Sequence, residues 1–293
     1  MATDPVFLAQ LAANGLSVGL GYALAAIGLA LIFGIVGQVN FAHGELYMLG
    51  AFLLYWATQR LGLPYGAAGV LVVLAMGGVG ALLAQIVIVP NLQRSFESVV
   101  LGTLAVGIIL QNAVRLIFGA TPLDVSSPFE QLSFDLGGVL VFGQRLLVGA
   151  AFVAAFAGLS ALLRYTEMGR AMRATAQNPD ACLMVGIDTR RVTRWTTALS
   201  AALIGLAAVV ICPLFDLYPN MGTDVVIKSF AVVIIGGMGN VWGAALAGIA
   251  LGLAESYAGG LGNATMRDAI AFVLMIAMLL ARPHGLLGRT VRV

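Results

Sequence analysis

The chain is 293 residues long, 60% hydrophobic and only 10% charged, with a mean hydropathy of +1.00. Soluble domains carry roughly a quarter charged residues, so water is not the solvent for most of this surface and the chain is an integral membrane protein. The net charge of +2 comes from scattered basic residues, a distribution that leaves no nucleic-acid footprint.

A membrane span must satisfy its backbone internally, as a helix or within a closed barrel. Barrel strands alternate apolar and polar residues over ~10-residue segments. Here runs such as YALAAIGLALIFGIV and AIAFVLMIAMLLA are apolar throughout. The expected fold class is therefore all-α, a polytopic bundle of about eight to nine membrane segments with broken or half-spanning helices, forming one domain over residues 1–293.

The first segment, about 7–33, follows MATDPVFLAQ, which lacks the basic n-region of a cleaved signal peptide. It is expected to stay and serve as its own insertion signal. Further segments follow at about 45–59, 66–89, 98–118, 140–163, 192–213, 226–238, 240–257 and 267–282. A full span needs ~20 apolar residues. The segments at 45–59, 226–238 and 267–282 are short and adjoin glycine-rich breaks, the pattern of discontinuous helices.

Between the first two segments lies GIVGQVNFAHGELYMLGAF, residues 34–52, which sets Gln38, Asn40, His43 and Glu45 among glycines. Ionisable groups at membrane depth cost ~2.5–3.5 kcal/mol on insertion scales and are kept where they face protein or water. The glycines let the chain turn back; Gln38, Asn40 and His43 then either cap free backbone groups or face a pore. Zinc needs three or four ligands, and the only other histidine is His284, which disfavours metal or acid–base chemistry at His43 and Glu45.

In segment 98–118, Thr103 and Gln111 share a helix face that Arg115 continues, with Asn112 adjacent. Such a stripe faces the bundle interior or a water-filled route, and interhelical hydrogen bonding accounts for it as well as transport does. The longest charged stretch, residues 164–194, puts Arg170, Arg173 and Gln177 on one helix face and Met168, Met172 and Thr175 on another. The residue before a proline avoids the helical region, so the first helix should end near Asn178. Asn178 then caps a second short helix that has Pro179 at its first position and Gly186 at its end. These two helices either lie on anionic lipid or dock a soluble partner.

Placing the N-terminus outside and the C-terminus in the cytoplasm puts Arg94, Arg164, Arg170, Arg173, Arg190, Arg191, Arg194, Arg282, Arg289 and Arg292 inside. Arg60, Arg115, Arg145, Lys228 and Arg267 remain outside, and the excess follows the positive-inside rule. GQVNFAHGELYMLGA, from Gly37, resembles GMGNVWGAALAGIA, from Gly237, and pairs Asn40 with Asn240 as an internal repeat. Small residues recur four apart at Gly15 and Gly19, Ser17 and Gly21, Gly239 and Gly243, and Gly248 and Gly252, as at close helix contacts. Cys182 and Cys212 are expected on opposite sides of the membrane, as small buried hydrophobes.

GRAMRATAQNPDACLMVGID, NGLSVGLGYALAAIGLALIFGIVGQVNFAHGELYMLGAF, KSFAVVIIGGMGNVWGAALAGIALGLAES and the ending RPHGLLG strongly resemble permease subunits of ABC importers for branched-chain amino acids. The resemblance covers nearly the whole chain. Without a long N-terminal extension, the chain is similar to the shorter of the two permeases such systems use. The resemblance implies a bacterial inner-membrane location, a periplasmic substrate-binding protein, a second related permease and two ATP-binding subunits. It implies no nucleic-acid partner and no cofactor of its own, ATP and magnesium being held by the partners.

It also implies that a coupling loop, about 164–191, sits in a cleft of the ATPase. Its coupling residues would be Glu167, Gly169, Arg170, Met172, Arg173, Gln177, Asn178 and Asp180, with Arg170 and Arg173 in direct contact. The translocation pathway is expected to pass Gln38, Asn40, His43, Thr103, Gln111, Asn112, Gly237 and Asn240, and loops around 119–139 and 214–225 to meet the binding protein. Apart from the resemblance, a P-loop needs Gly-Lys before Ser or Thr. The only lysine, Lys228 in VIKS, follows isoleucine, so ATP is not bound in that way. The alternatives are an importer of other amino acids, amides or urea, a stand-alone small-solute channel, and an intramembrane enzyme, which would need a cluster of catalytic groups.

Overall fold

The computed structural model describes residues 4–92 and 94–288. Asp4 starts α1 (Pro5–Val36): its side chain accepts from Val6 N, Pro5 takes the first helical position, and Gly37 ends the helix with φ 67°. After an irregular stretch, residues 37–40, and a turn come α2 (His43–Gln59) and α3 (Tyr65–Leu83). α3 runs on through a π-helical turn, Ala84–Ile88, into the short α4 (Val89–Asn91). Pro90 lacks the N–H an α-helix would use, and its ring crowds the carbonyl four residues back, so the preceding turn widens. Ser95 caps α5 (Phe96–Phe118).

A two-stranded hairpin then pairs β1 (Ser133–Leu136) with β2 (Val139–Phe142). The rest is helical: α6 (Gly143–Tyr165), α7 (Glu167–Gln177), α8 (Pro179–Met184), α9 (Thr189–Ile211), α10 (Met221–Gly236), α11 (Val241–Leu261) and α12 (Ala264–Ala281). Among the described residues, six helical stretches are long and apolar enough to cross a membrane: α1, α3 with α4, α5, α6, α9 with the turn after it, and α11. At 17 and 16 residues, α2 and α10 are shorter than a full span.

α1 is the central post. Its residues from Ala23 to Ile32 are all buried, which fits a helix that is apolar on every side. α11 runs antiparallel to it at backbone contact. A Cβ on Gly19 would lie 2.8 Å from Ile249 Cα, and one on Gly248 2.6 Å from Ala23 N. Gly15 and Gly252 take part in the same seam, whereas Gly21 faces Ile211 of α9. Close approach of small residues drives helix association in lipid, so the four-residue spacing does mark a packing face.

Three sequence expectations need correction. The hairpin runs from the stretch read as loop into the segment expected as helix from 140: residues 140–142 are strand, and α6 begins only at Gly143. Gly137 and Gly138 at its turn both have positive φ, 68° and 93°, the backbone a two-residue hairpin turn requires. α10 starts at Met221, five residues before the expected 226, so residues 221–225 of the supposed external loop form its first turn, with Met221 and Gly222 buried. Lys228, assigned to the outer aqueous side, lies within the bundle and pairs with Glu255. Arg289 and Arg292, counted for orientation, lie outside the described residues.

Candidate functional site

The break after α1 folds back deep into the bundle. His43 is fully buried, and its Nε2 lies 3.0 Å from the carbonyl oxygen of Ala25. Ala25 is eleven residues before the end of α1, roughly 16 Å along the axis at 1.5 Å per residue. α2 therefore begins inside the membrane. Glycine at position 28 leaves room for the His43 ring: a Cβ there would be 3.2 Å from His43 Cε1. Asn40, 1% exposed, accepts from Ala42 N at 3.0 Å, so it ties down the turn that starts α2. Gln38, half-buried, lines a cavity of about 630 Å³ with Thr175, Asp180 and Thr193, between the break and the α7–α8 pair.

α10 begins at the same depth. A Cβ on Gly44 would lie 2.0 Å from Gly222 O, and one on Gly222 would lie 2.7 Å from Glu45 Oε2. The first turns of α2 and α10 thus meet backbone to backbone, and from there α10 returns to the end of α1, where Gly34 abuts Gly239 just before α11. Two helix N-termini point at one place in the membrane interior, the arrangement by which discontinuous helices present their positive ends to charge.

α5 closes this place from the side. Thr103 is fully buried; its hydroxyl donates to Val100 O and accepts from Phe41 N at 3.2 Å. One turn on, Gly107 faces Glu45, with 3.3 Å between its would-be Cβ and Glu45 Cγ. Gln111 Nε2 and Arg115 Nη2 both donate to Oδ1 of Asn220, at 3.2 and 2.9 Å. The structure brings Thr103, Gln111 and Arg115 onto one face, as their spacing requires. Asn112 lies off that face, exposed, and donates to Ile108 O of its own helix.

The second break also holds an asparagine, used differently. Asn240 caps α11 by accepting from Gly243 N at 3.0 Å and donates to Leu287 O at 2.7 Å. Leu286 N and Leu287 N donate to Ile235 O and Gly236 O. Gly237 (φ 104°) abuts Gly285 (φ 75°). The RPHGLLG ending thus fastens the α10–α11 break, and Gly237 and Asn240 serve that joint rather than the place where α2 and α10 meet.

A buried ion pair completes the interior. Lys228 of α10 pairs with the fully buried Glu255 of α11. The other Glu255 oxygen accepts from Tyr22 of α1 at 2.8 Å and lies 3.8 Å from Arg267 of α12. One carboxylate therefore ties four helices, a connection the sequence analysis missed.

The family model for "Branched-chain amino acid transport system / permease component" matches residues 11–279. The chain belongs to this permease family. It is 32% identical to the high-affinity branched-chain amino acid transport system permease protein BraD of Pseudomonas aeruginosa, over 97% of this chain and 96% of BraD. It is 30% identical to LivH of Escherichia coli K12, a permease protein of the same description, over 99% of this chain and 98% of LivH. These relatives are transport permeases, not enzymes. In overall shape the chain is similar to the solved structure of PsaBC from Streptococcus pneumoniae in complex with Fab. That match has a TM-score of 0.51 at 12% identity and covers 92% of this chain and 91% of that one.

In the permease, α8 has the cap its sequence predicts: Asn178 accepts from Ala181 N with Pro179 at the first position. α7 is capped by Thr166, which accepts from Gly169 N. Gly169, Met172 and Thr175 turn toward the bundle, while Glu167, Arg170, Arg173, Gln177, Asn178 and Asp180 are exposed. α7 folds onto the end of α6 so closely that a Cβ on Gly169 would lie 2.2 Å from Leu162 O. The far end is apolar and bare: Leu183 is 56% exposed, Met184 89% and Val185 74%. Sequence reading stressed the arginines and passed over this tip, although LMV beside a proline-started helix is visible in the sequence.

Proposed function

We propose that this permease is the shorter of two related permeases in an ATP-driven importer of the bacterial inner membrane, carrying branched-chain amino acids. Its nine membrane segments are α1, α2, α3 with α4, α5, α6, α9, α10, α11 and α12, with the N-terminus outside and the α7–α8 pair and C-terminus in the cytoplasm. A periplasmic binding protein delivers the cargo, a second permease completes the pathway, and two ATPase subunits that hold ATP and magnesium grip α7–α8. Loop 119–139, with its hairpin, and residues 214–220 receive the binding protein.

The observation that carries this reading is the seat of α7 on α6. Gly169 brings α7 into backbone contact with Leu162 and Leu163, while Leu183, Met184 and Val185 at the end of α8 are exposed, as are Arg170 and Arg173 on α7. An exposed apolar tip on a pair of helices that also exposes arginines fits a cleft of a soluble partner, whereas a stand-alone channel has no need of it. Force applied there passes directly to α6 and, through the short link after α8, to α9. Rigid-body movement of those spans would switch access between the two sides. The pathway would run past Gln38, Asn40, His43, Thr103, Gln111 and Asn112. The amides along α5 suit a zwitterion and a neutral amide equally, which keeps other amino acids or amides as the second reading.

The test is co-purification of this chain with an ATPase and a second permease, followed by transport-coupled ATP hydrolysis in proteoliposomes. Arg170→Glu with Arg173→Glu, and separately Met184→Asp, should abolish the coupled hydrolysis while leaving the membrane fold intact. Unchanged hydrolysis in these variants overturns the docking assignment.

A further inference from the structure

Residues 38–45 hold a concentration of unsatisfied atoms. Among the described residues, five buried side-chain polar atoms have no hydrogen-bond partner; four of them are Gln38 Oε1, Asn40 Nδ2, His43 Nδ1 and Glu45 Oε2. Buried polar atoms in native proteins are nearly always paired. Such a cluster marks a place where water or a ligand supplies the missing partners.

Of the four, the Glu45 oxygen is the one that calls for a cation. Glu45 is 9% exposed, and its carboxylate lies where the N-terminal turns of α2 and α10 converge. The positive ends of those helices converge on the carboxylate, and its Oε2 has no hydrogen-bond partner. Glycines are what let this side chain fit: a Cβ on Gly107 would lie 3.3 Å from its Cγ, and one on Gly222 2.7 Å from Oε2. The nearby cation on α5, Arg115, is directed to Asn220 Oδ1, which Gln111 also contacts. These donors lie about 6 and 12 Å along α5 from Gly107, on the same face. An acceptor-only group at one end and a cluster of amide and guanidinium donors further along is the polarity a zwitterion requires.

We propose that Glu45 is a binding group for the ammonium of an amino-acid cargo midway through the membrane, with Gln111, Arg115 and Asn220 next on the path for its carboxylate. This rests on the importer reading above. An anionic acceptor in a site of low dielectric makes strong charge-assisted hydrogen bonds with an ammonium, and in the closed protein those bonds replace water as the cargo passes.

The experiment uses the complete importer in proteoliposomes. Glu45→Gln keeps size and shape but removes the charge. It should lower uptake of the amino acid at least about tenfold, with complex assembly, melting temperature and cargo-free ATP hydrolysis unchanged; Glu45→Asp should restore part of the uptake. A second measurement places Glu45→Cys in a background with Cys182→Ser and Cys212→Ser. A cationic thiol reagent should label it faster than an anionic one of similar size, and cargo should slow that labelling. Uptake by Glu45→Gln equal to wild type overturns the proposal, as does a cysteine that no reagent reaches. A fall in melting temperature matching the fall in uptake would make Glu45 a packing residue and overturn it too. A wild-type complex that assembles but moves no amino acid would refute the importer reading and this inference together.

Discussion

The meeting of α2 and α10 makes the sharpest stability prediction. In Gly44→Ala the new Cβ lies 2.0 Å from Gly222 O and 2.8 Å from both Gly222 C and Val226 Cβ. Ordinary contact begins at 3.4 Å, so the first of these is short by about 1.4 Å. The crowded atoms are mostly backbone, which cannot rotate away, and relief requires the two helices to part. Overpacking of a tight core costs about 1–3 kcal/mol, and a clash with fixed backbone places this substitution at the upper end, near 3 kcal/mol. Gly78→Ala is the matched control. It sits in α3 with nothing within 4 Å of its would-be Cβ, and glycine costs about 0.8–1 kcal/mol relative to alanine in a helix interior. The same substitution should therefore destabilise at position 44 and stabilise at position 78. Reversible unfolding in mixed detergent micelles reads both, with uptake by the reconstituted complex as a second readout for position 44. A Gly44→Ala protein as stable as wild type would mean that the two helix starts are not in contact.

The remaining predictions concern longer-range ties. Glu255→Leu takes the carboxylate from Lys228, Tyr22 and Arg267 and should cost about 3 kcal/mol, as when one member of a buried pair is removed; Glu255→Leu with Lys228→Met should recover most of that. The same unfolding assay gives the coupling energy, and simple additivity of the two substitutions would contradict the pairing. Asn240→Ala removes a helix cap worth ~1 kcal/mol and the bond to Leu287 O. Hydrogen exchange at Leu286 and Leu287 should accelerate in it while exchange in the core of α1 stays slow. Replacing Gly137 and Gly138 together by alanine forces side chains onto positive φ, at a cost of roughly 1–2 kcal/mol per residue; binding-protein-stimulated hydrolysis should fall with cargo-free hydrolysis unchanged if the hairpin receives that partner.

The legible parts of the chain were those governed by neighbours a few residues away. Helix positions followed from apolar runs. Asn178, Pro179 and Gly186 bound α8 as their chemistry demands, and Thr103, Gln111 and Arg115 took one face because a helix repeats every 3.6 residues. Even the missed hairpin had a local signal, Gly-Gly between apolar runs. The start of α10 was misplaced because Met-Gly-Thr-Asp has poor helix propensity on its own. Packing of Gly222 on Gly44 holds that turn in place, and propensity yields to such contacts.

By itself, then, the sequence determined the solvent, the helical class, the breaks after α1 and after α10, and the family. Tertiary structure alone decided that the breaks at 37–42 and before 221 bring two helix ends to one depth, that Glu255 gathers partners from three other helices, and that Asn220 receives both Gln111 and Arg115. Each of those depends on which distant backbones can approach closely, and glycine spacing permits such an approach without naming the partner.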